Sequence, residues 1–294
     1  MTTTVATMSA AVLVEPETVQ LECVSVPEPR RHEVLVRVEG CGVCGSSLPI
    51  WEGRPWFDYP LAPGEPGHEG WGIVERTGEA VDELEPGARV AFLSARAFAE
   101  LDVAAAAHCV VLPRELDGMP VPGEALGCAV NVFRRSRIRA GERVAIVGMG
   151  FLGSLVAQLC RGASTEVVCV RRGTELEGPF ARVIEAAGTQ AALDTASQLV
   201  GEGGVLVIAG FHQDGLRTVD LQSWNWRGID VVNAHERDPR VVLDGVNKAV
   251  QLIATGRLDP SPLYTHAFPL ARAADAFRAA LTRPPGFTKA LVLQ

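Results

Sequence analysis

From Ala11 to about Val111, apolar and polar residues alternate in short runs broken by Gly and Pro, at residues 33–38, 72–75 and 89–92. Successive side chains of a strand point to opposite faces, so this period of two predicts half-buried strands in a small β-barrel or sandwich. After Pro122 the rhythm changes. Residues 143–147 form a continuous apolar strand, followed by Gly148-Met149-Gly150-Phe151-Leu152-Gly153 and an apolar helix through Cys160. A strand that is apolar on both faces belongs in a parallel sheet covered by crossover helices. Further buried strands are expected at 166–170, 182–185 and 205–209, with a helix from about 190 to 200. From about residue 232 the texture is mixed, with helices over 239–255 and 270–281 and a last strand at 289–293. We expect this tail to fold back, giving one domain of residues 1–130 with 232–294 and another of 131–231.

Composition narrows the class. A chain of 294 residues, 47% hydrophobic and 21% charged, folds and is too long for one ordinary core. The net charge is −8, and basic residues cluster only in pairs such as Arg30-Arg31 and Arg134-Arg135. That excludes a nucleic-acid footprint. No apolar run approaches the ~18–20 residues of a membrane span and no signal pattern opens the chain, so a cytoplasmic protein with a small-molecule substrate is expected. Seven scattered cysteines are an odd number and no disulfide framework, which points to reduced thiols, some of them metal ligands.

Two constellations carry chemistry. Cys44 and His68 both sit in Gly-rich segments at the ends of predicted strands, where loops present side chains. A catalytic zinc needs three soft or borderline ligands and one open position. Cys41 and Cys44 also form a C-x-x-C pair, but no second pair follows for a structural zinc and no βα start surrounds it as a redox motif requires. Taken singly, a Cys is more often a small buried hydrophobe. The second constellation is Gly148, Gly150 and Gly153 between a strand and a helix, the context of a dinucleotide-binding turn. There the amides of Phe151 and Leu152 would face a pyrophosphate. Arg171 and Arg172, at the end of the next strand, suit a 2′-phosphate, so NADP is expected rather than NAD. Only about ten residues then precede the strand at 182, where a βαβ unit needs ~30.

The order Cys44, Gly67-His68-Glu69, Gly127-Cys128 and Gly148 to Gly153 resembles the zinc-type alcohol dehydrogenases of the medium-chain dehydrogenase/reductase superfamily, over nearly the whole chain. The resemblance implies an α/β plus β fold: a GroES-like β-barrel catalytic domain and a truncated Rossmann domain. It implies one catalytic zinc held by Cys44, His68 and Cys128, with Glu69 as a nearby or transient ligand and Ser46 passing the substrate proton. It also implies a homodimer or homotetramer, and makes Lys289 a basic residue reaching the cofactor phosphates, with a solvated strand-end lysine as the alternative.

Departures stand beside it. Ser47 occupies the place of an acidic residue that supports the ligand histidine, and Pro49 that of a proton-conducting histidine. No cysteine lobe for a second zinc lies in residues 91–108. Glu185-Ala186-Ala187-Gly188 resembles the family's fourth strand and turn, so the second helix, third strand and third helix are expected to be missing. The sheet order would then be 2-1-4-5-6, with the adenosine wall lost. Trp51, Trp56, Phe57 and Tyr59 are candidates to wall the substrate cleft, and Asn233, His235 and Glu236 form a polar group near the domain junction; either set fits a structural role equally. The expected activity is hydride transfer between NAD(P) and a small alcohol or carbonyl, such as a polyol, an amino alcohol or a sugar derivative. The alternatives are a zinc enzyme of elimination, dehydration or aldol type without nicotinamide turnover, and a degenerate zinc-binding relative.

Overall fold

A computed structural model of the chain describes residues 6–171, 173 and 178–294. In chain order its strands and helices are β1 (Thr7–Glu15), β2 (Thr18–Ser25), β3 (Glu33–Gly42), α1 (Leu48–Trp51), β4 (Glu69–Thr77), β5 (Arg89–Phe92), β6 (Leu101–Ala105), β7 (Cys109–Val111) and α2 (Gly123–Arg135). There follow β8 (Arg143–Val147), α3 (Phe151–Gly162), β9 (Glu166–Val170), β10 (Phe180–Glu185), α4 (Gln190–Leu199), β11 (Val200–Ile208), α5 (Leu221–Arg227) and β12 (Asp230–Asn233). The chain ends with α6 (Pro239–Ala254), β13 (Tyr264–Pro269), α7 (Ala273–Thr282) and β14 (Lys289–Leu293). Contacts divide it into two compact units, Met1–Ala125 with Ser261–Gln294, and Leu126–Pro260.

The first unit is a mixed seven-stranded sheet in the order β13-β14-β3-β4-β5-β7, with β6 also on β3, and a separate β1-β2 hairpin. Strand β3 organises it: one stretch pairs with β6, another with β14, and β4 runs antiparallel along nearly its whole length. Helix α7 turns Ala273, Ala276, Phe277 and Ala280 inward, the i, i+3, i+4, i+7 stripe of an amphipathic helix. Phe277 stacks on Trp51 at 5.2 Å between ring centres and meets the edge of Phe98 at 5.4 Å. Such pairs contribute about 0.5–1.5 kcal/mol each beyond their buried area. Trp51 is therefore part of the core, 1% exposed, and not a wall of the cleft as the sequence suggested.

The second unit is a five-stranded parallel sheet in the order β12-β11-β10-β8-β9. Numbered by their family counterparts, these strands give the expected 2-1-4-5-6 order: β10 returns directly beside β8, and only residues 171–179 join β9 to β10. Val183, Leu206, Val147, Leu193 and Ala196 pack between sheet and helix. Residues 232–260 group with this unit, whereas the sequence reading placed them with the tail in the first domain. The physical reasons are that β12 adds to β11, and that α6 packs closely on α2. A Cβ on Gly127 would lie 2.8 Å from Val246 N, and one on Gly245 would meet the Asn131 side chain at 2.6 Å. Among the described residues no helix is long and apolar enough to cross a membrane.

Candidate metal centre and dinucleotide turn

Cys44 follows β3 and His68 precedes β4. These strands are antiparallel neighbours with Gly42 opposite Glu69, so the pairing register brings the two loops to one place. The ligand atoms of Cys44, His68 and Glu69 all lie within 4.8 Å of one another. His68 Nδ1 lies 3.0 Å from the Pro66 carbonyl oxygen. A carbonyl only accepts, so Nδ1 carries the proton and Nε2 faces the cluster, 3.5 Å from Ser46 Oγ. The support expected from an acidic residue at position 47 thus comes from a backbone carbonyl, while Ser47 is buried at the start of α1. Pro49 sits in the first turn of that helix, where its missing N–H leaves no bond unmade.

Burial acts to lower the His68 pKa, but the hydrogen bond and charge of Cys44, with the charges of Glu124 and Glu69, outweigh it and raise it to about 10. Negative charge gathered around a histidine favours its protonated form. Cys41 is wholly buried, burial followed by the charge of Glu69 pushes its thiol well up, and it is not in the cluster of Cys44, His68 and Glu69.

Glu69 is fully buried, and Lys289 is 5% exposed. The Lys289 ammonium lies 2.7 Å from Glu69 Oε1 and 2.5 Å from Oε2. Burial works against the lysine charge, but Glu69 and the neighbouring Cys44 and Glu124 raise its pKa overall. Neither sequence expectation for Lys289, a phosphate contact or a solvated strand end, describes this placement. Gly42 makes the room: a Cβ there would stand 1.9 Å from Glu69 Oε2 and 3.0 Å from Lys289 Cε.

In the second unit, Cys128 lies on α2 directly after the tightly packed Gly127. The glycines of the turn have separate reasons. Gly148 has φ +101°, and a Cβ would meet Ala187 N at 2.9 Å. On Gly153 it would lie 2.0 Å from the Gly148 carbonyl oxygen. On Gly150 it would meet nothing, and Gly150 precedes α3 without a side-chain cap, so Phe151 and Leu152 form the first turn of that helix. Arg171 is exposed just beyond β9, and Arg172 lies outside the described residues. Of the remaining candidates, Trp56 is exposed, Phe57 is half-buried and the Tyr59 hydroxyl donates to the Ile50 carbonyl. Asn233, His235 and Glu236 form a local network leading into α6, with Asn233 Oδ1 accepting from His235 N and Glu236 Oε1 from Asp238 N. Sequence reading gave no functional role to two buried carboxylates, Asp102 and Glu185, and named Glu185 only within the 185–188 turn. The signal for Glu185 was an acidic residue directly after the apolar pair Val183-Ile184.

Residues 30–197 match the model of the alcohol dehydrogenase GroES-like domain family. The chain belongs to this family. It resembles human sorbitol dehydrogenase at 27% identity, with 89% of each chain covered. It resembles the L-galactonate-5-dehydrogenase of Escherichia coli K12 at 23%, covering 92% of this chain and 94% of the relative. The sorbitol dehydrogenase alignment runs over 327 positions against a chain of 294, so that relative carries segments this chain lacks. Among solved structures, an NADP-bound protein of Sinorhizobium meliloti 1021 described as a zinc-binding dehydrogenase superposes with a TM-score of 0.83 at 25% identity, covering 98% of this chain and 100% of that one. A thermostable alcohol dehydrogenase of Pyrobaculum aerophilum shares the fold with a TM-score of 0.84 at 24% identity, covering 98% and 100%. The fold class read from the sequence, a GroES-like half and a parallel-sheet Rossmann-like half, is the fold of this family.

Proposed function

We propose that the protein is a zinc-dependent oxidoreductase that moves hydride between NAD(P) and a small alcohol or carbonyl, with a polyol or sugar-derived alcohol as the favoured substrate. The observation that carries this reading is the convergence of Cys44, His68 and Glu69 within 4.8 Å, with His68 Nε2 turned toward the cluster. The donors fit a borderline metal: a thiol, an imidazole nitrogen whose tautomer is fixed by Pro66, and a carboxylate already balanced by Lys289. The second unit fits a dinucleotide, since Gly148 and Gly153 admit no side chain while open space lies over Gly150.

In this reading Cys44 and His68 are two of the metal ligands, and the family resemblance supplies Cys128 as the third. A zinc ion held there would supply Lewis acidity toward an alcohol or carbonyl oxygen. Ser46 Oγ takes the substrate's hydroxyl proton and passes it to water, since Pro49 offers no relay group. Lys289 holds Glu69 in place beside the ligands through their ion pair. The amides opening α3 hold the pyrophosphate, and Arg171 and Arg172 favour NADP, in keeping with the NADP-bound relative. We infer a cytoplasmic homodimer or homotetramer. The short β9–β10 connection favours one second reading, in which the metal works without nicotinamide in an elimination, dehydration or aldol-type reaction.

Zinc content of the purified protein, with Cys44→Ser and Cys128→Ser, tests the ligands: about one zinc per chain is expected in the parent and a large loss in each variant. Zinc undiminished in either variant rejects that ligand. Nicotinamide fluorescence during NADPH and NADH titration separates the two readings, and no binding at millimolar concentration leaves only the non-redox one.

A further inference from the structure

Glu185 ends β10 with its side chain fully buried, and a buried carboxylate requires partners. Oε1 accepts the backbone N–H of Ala187 at 2.8 Å and of Gly188 at 2.7 Å. Oε2 lies 3.0 Å from His212 Nε2. On the far side of the ring, Arg217 Nε donates to His212 Nδ1 at 2.8 Å. A guanidinium only donates, so Nδ1 bears the lone pair and the ring proton sits on Nε2, aimed at Glu185. The geometry fixes His212 as one neutral tautomer in one orientation. Arg217 also donates to the Gly188 carbonyl at 3.0 Å and pairs with Asp214.

Around this carboxylate three loops are packed without slack. A Cβ on Gly188 would lie 2.5 Å from the Phe211 carbonyl oxygen, and one on Gly210 would lie 2.2 Å from Gly188 N and 2.6 Å from Glu185 Oε2. The 185–188 turn in turn abuts Gly148, whose missing Cβ would strike Ala187. All three loops leave the carboxyl ends of neighbouring strands, β8, β10 and β11. In open α/β sheets that end, where the strand order reverses, is where ligands bind. The reversal here falls at β8, between β9 and β10.

We propose that Glu185, His212 and Arg217 are positioning residues for the dinucleotide: a polar chain that locks the 185–188 turn and, through it, the Gly148–Gly153 loop in the conformation that admits the pyrophosphate. The proposal rests on the dinucleotide reading above. With the adenosine wall shortened on the β9 side, anchoring on the β10 and β11 side carries a larger share of the affinity. Glu185→Gln keeps an acceptor for the two amides but turns an NH2 toward His212 Nε2–H, and Arg217 blocks the opposite tautomer. Arg217→Met leaves Glu185 intact and removes the donors to His212 Nδ1 and the Gly188 carbonyl.

The test uses the zinc-loaded full chain, titrated with NADPH by nicotinamide fluorescence, together with nitrogen-15 NMR of the His212 ring. We expect both variants to bind NADPH about tenfold or more weakly than the parent, the scale of losing a hydrogen bond to a charged group, with zinc content unchanged. The parent ring should show its proton on Nε2, and Arg217→Met should shift the tautomer balance. If Glu185→Gln does not fold, Arg217→Met decides. Affinity within about twofold of the parent in the folded variants, or an Nδ1-protonated ring in the parent, overturns the positioning role alone. A parent that binds no NADPH removes the dinucleotide reading and this proposal with it.

Discussion

Replacing Lys289 by Met removes one half of an ion pair whose other half, Glu69, is wholly out of water. The two side chains meet at 2.7 and 2.5 Å, with Glu69 Oε2 in the space a side chain at Gly42 would take. Taking away one partner of such a pair costs about 3–5 kcal/mol, because an uncompensated charge stays buried. Replacing both partners by neutral side chains of similar volume is often close to neutral, so Glu69→Gln with Lys289→Met should recover most of the loss. For a unit of roughly 150–250 residues, each kcal/mol moves the melting temperature by about 2–4 °C, so the single variant should melt roughly 6–20 °C lower. Urea unfolding of the chelator-treated protein, followed by tryptophan fluorescence at neutral pH, measures this without metal masking the change. A Lys289→Met loss below about 1 kcal/mol, or single losses that simply add in the double variant, would refute a tightly coupled buried pair.

Three further outcomes are expected. In the metal-free protein His68 keeps its proton up to about pH 10, against 6.5 unfolded, so its contribution to stability is full below about 6.5 and is lost as pH rises through about 10. Urea midpoints between pH 6 and 10 should therefore fall in the parent and fall less in His68→Gln; equal slopes would remove the cation-holding role. Gly153→Ala places a Cβ 2.0 Å from the Gly148 carbonyl oxygen, and should cost about 1–3 kcal/mol and weaken NADPH binding, whereas Gly150→Ala, with open space around it, should leave stability unchanged in the same melts. Trp51→Ala removes the ring stacked on Phe277 and should cost about 3–5 kcal/mol in urea unfolding, while a loss under 1 kcal/mol would return Trp51 to the cleft.

Strands with continuous or strictly alternating apolar residues were legible from the chain alone. Residues 89–92, 143–147, 166–170 and 289–293 are strands with those bounds, because burial on one or both faces writes itself into a period of two or an unbroken run. The β1-β2 hairpin was not legible, since β2 is largely exposed and its side chains carry little pattern. Grouping was harder than existence. The helix expected at 239–255 is Pro239–Ala254, but its membership of the second unit depends on Gly127 and Gly245 letting two helix backbones approach. At the site, Cys44 and His68 could be paired from their order in the chain. The carbonyl of Pro66 behind His68, and Lys289 against Glu69, depend on the register of β3, β4 and β14, which no local pattern encodes. The shortened link after β9 was readable by length alone, because ten residues cannot hold a strand and two helices.

Hydride transfer by the zinc-loaded chain tests the central claim most directly. Absorbance at 340 nm, followed with NADP or NAD and a panel of small polyols and sugar alcohols before and after chelation, should rise with at least one polyol, with NADP preferred, and stop when the metal is removed. Absence of any change at 340 nm with metal and dinucleotide both bound, or a rate indifferent to chelation, would contradict it.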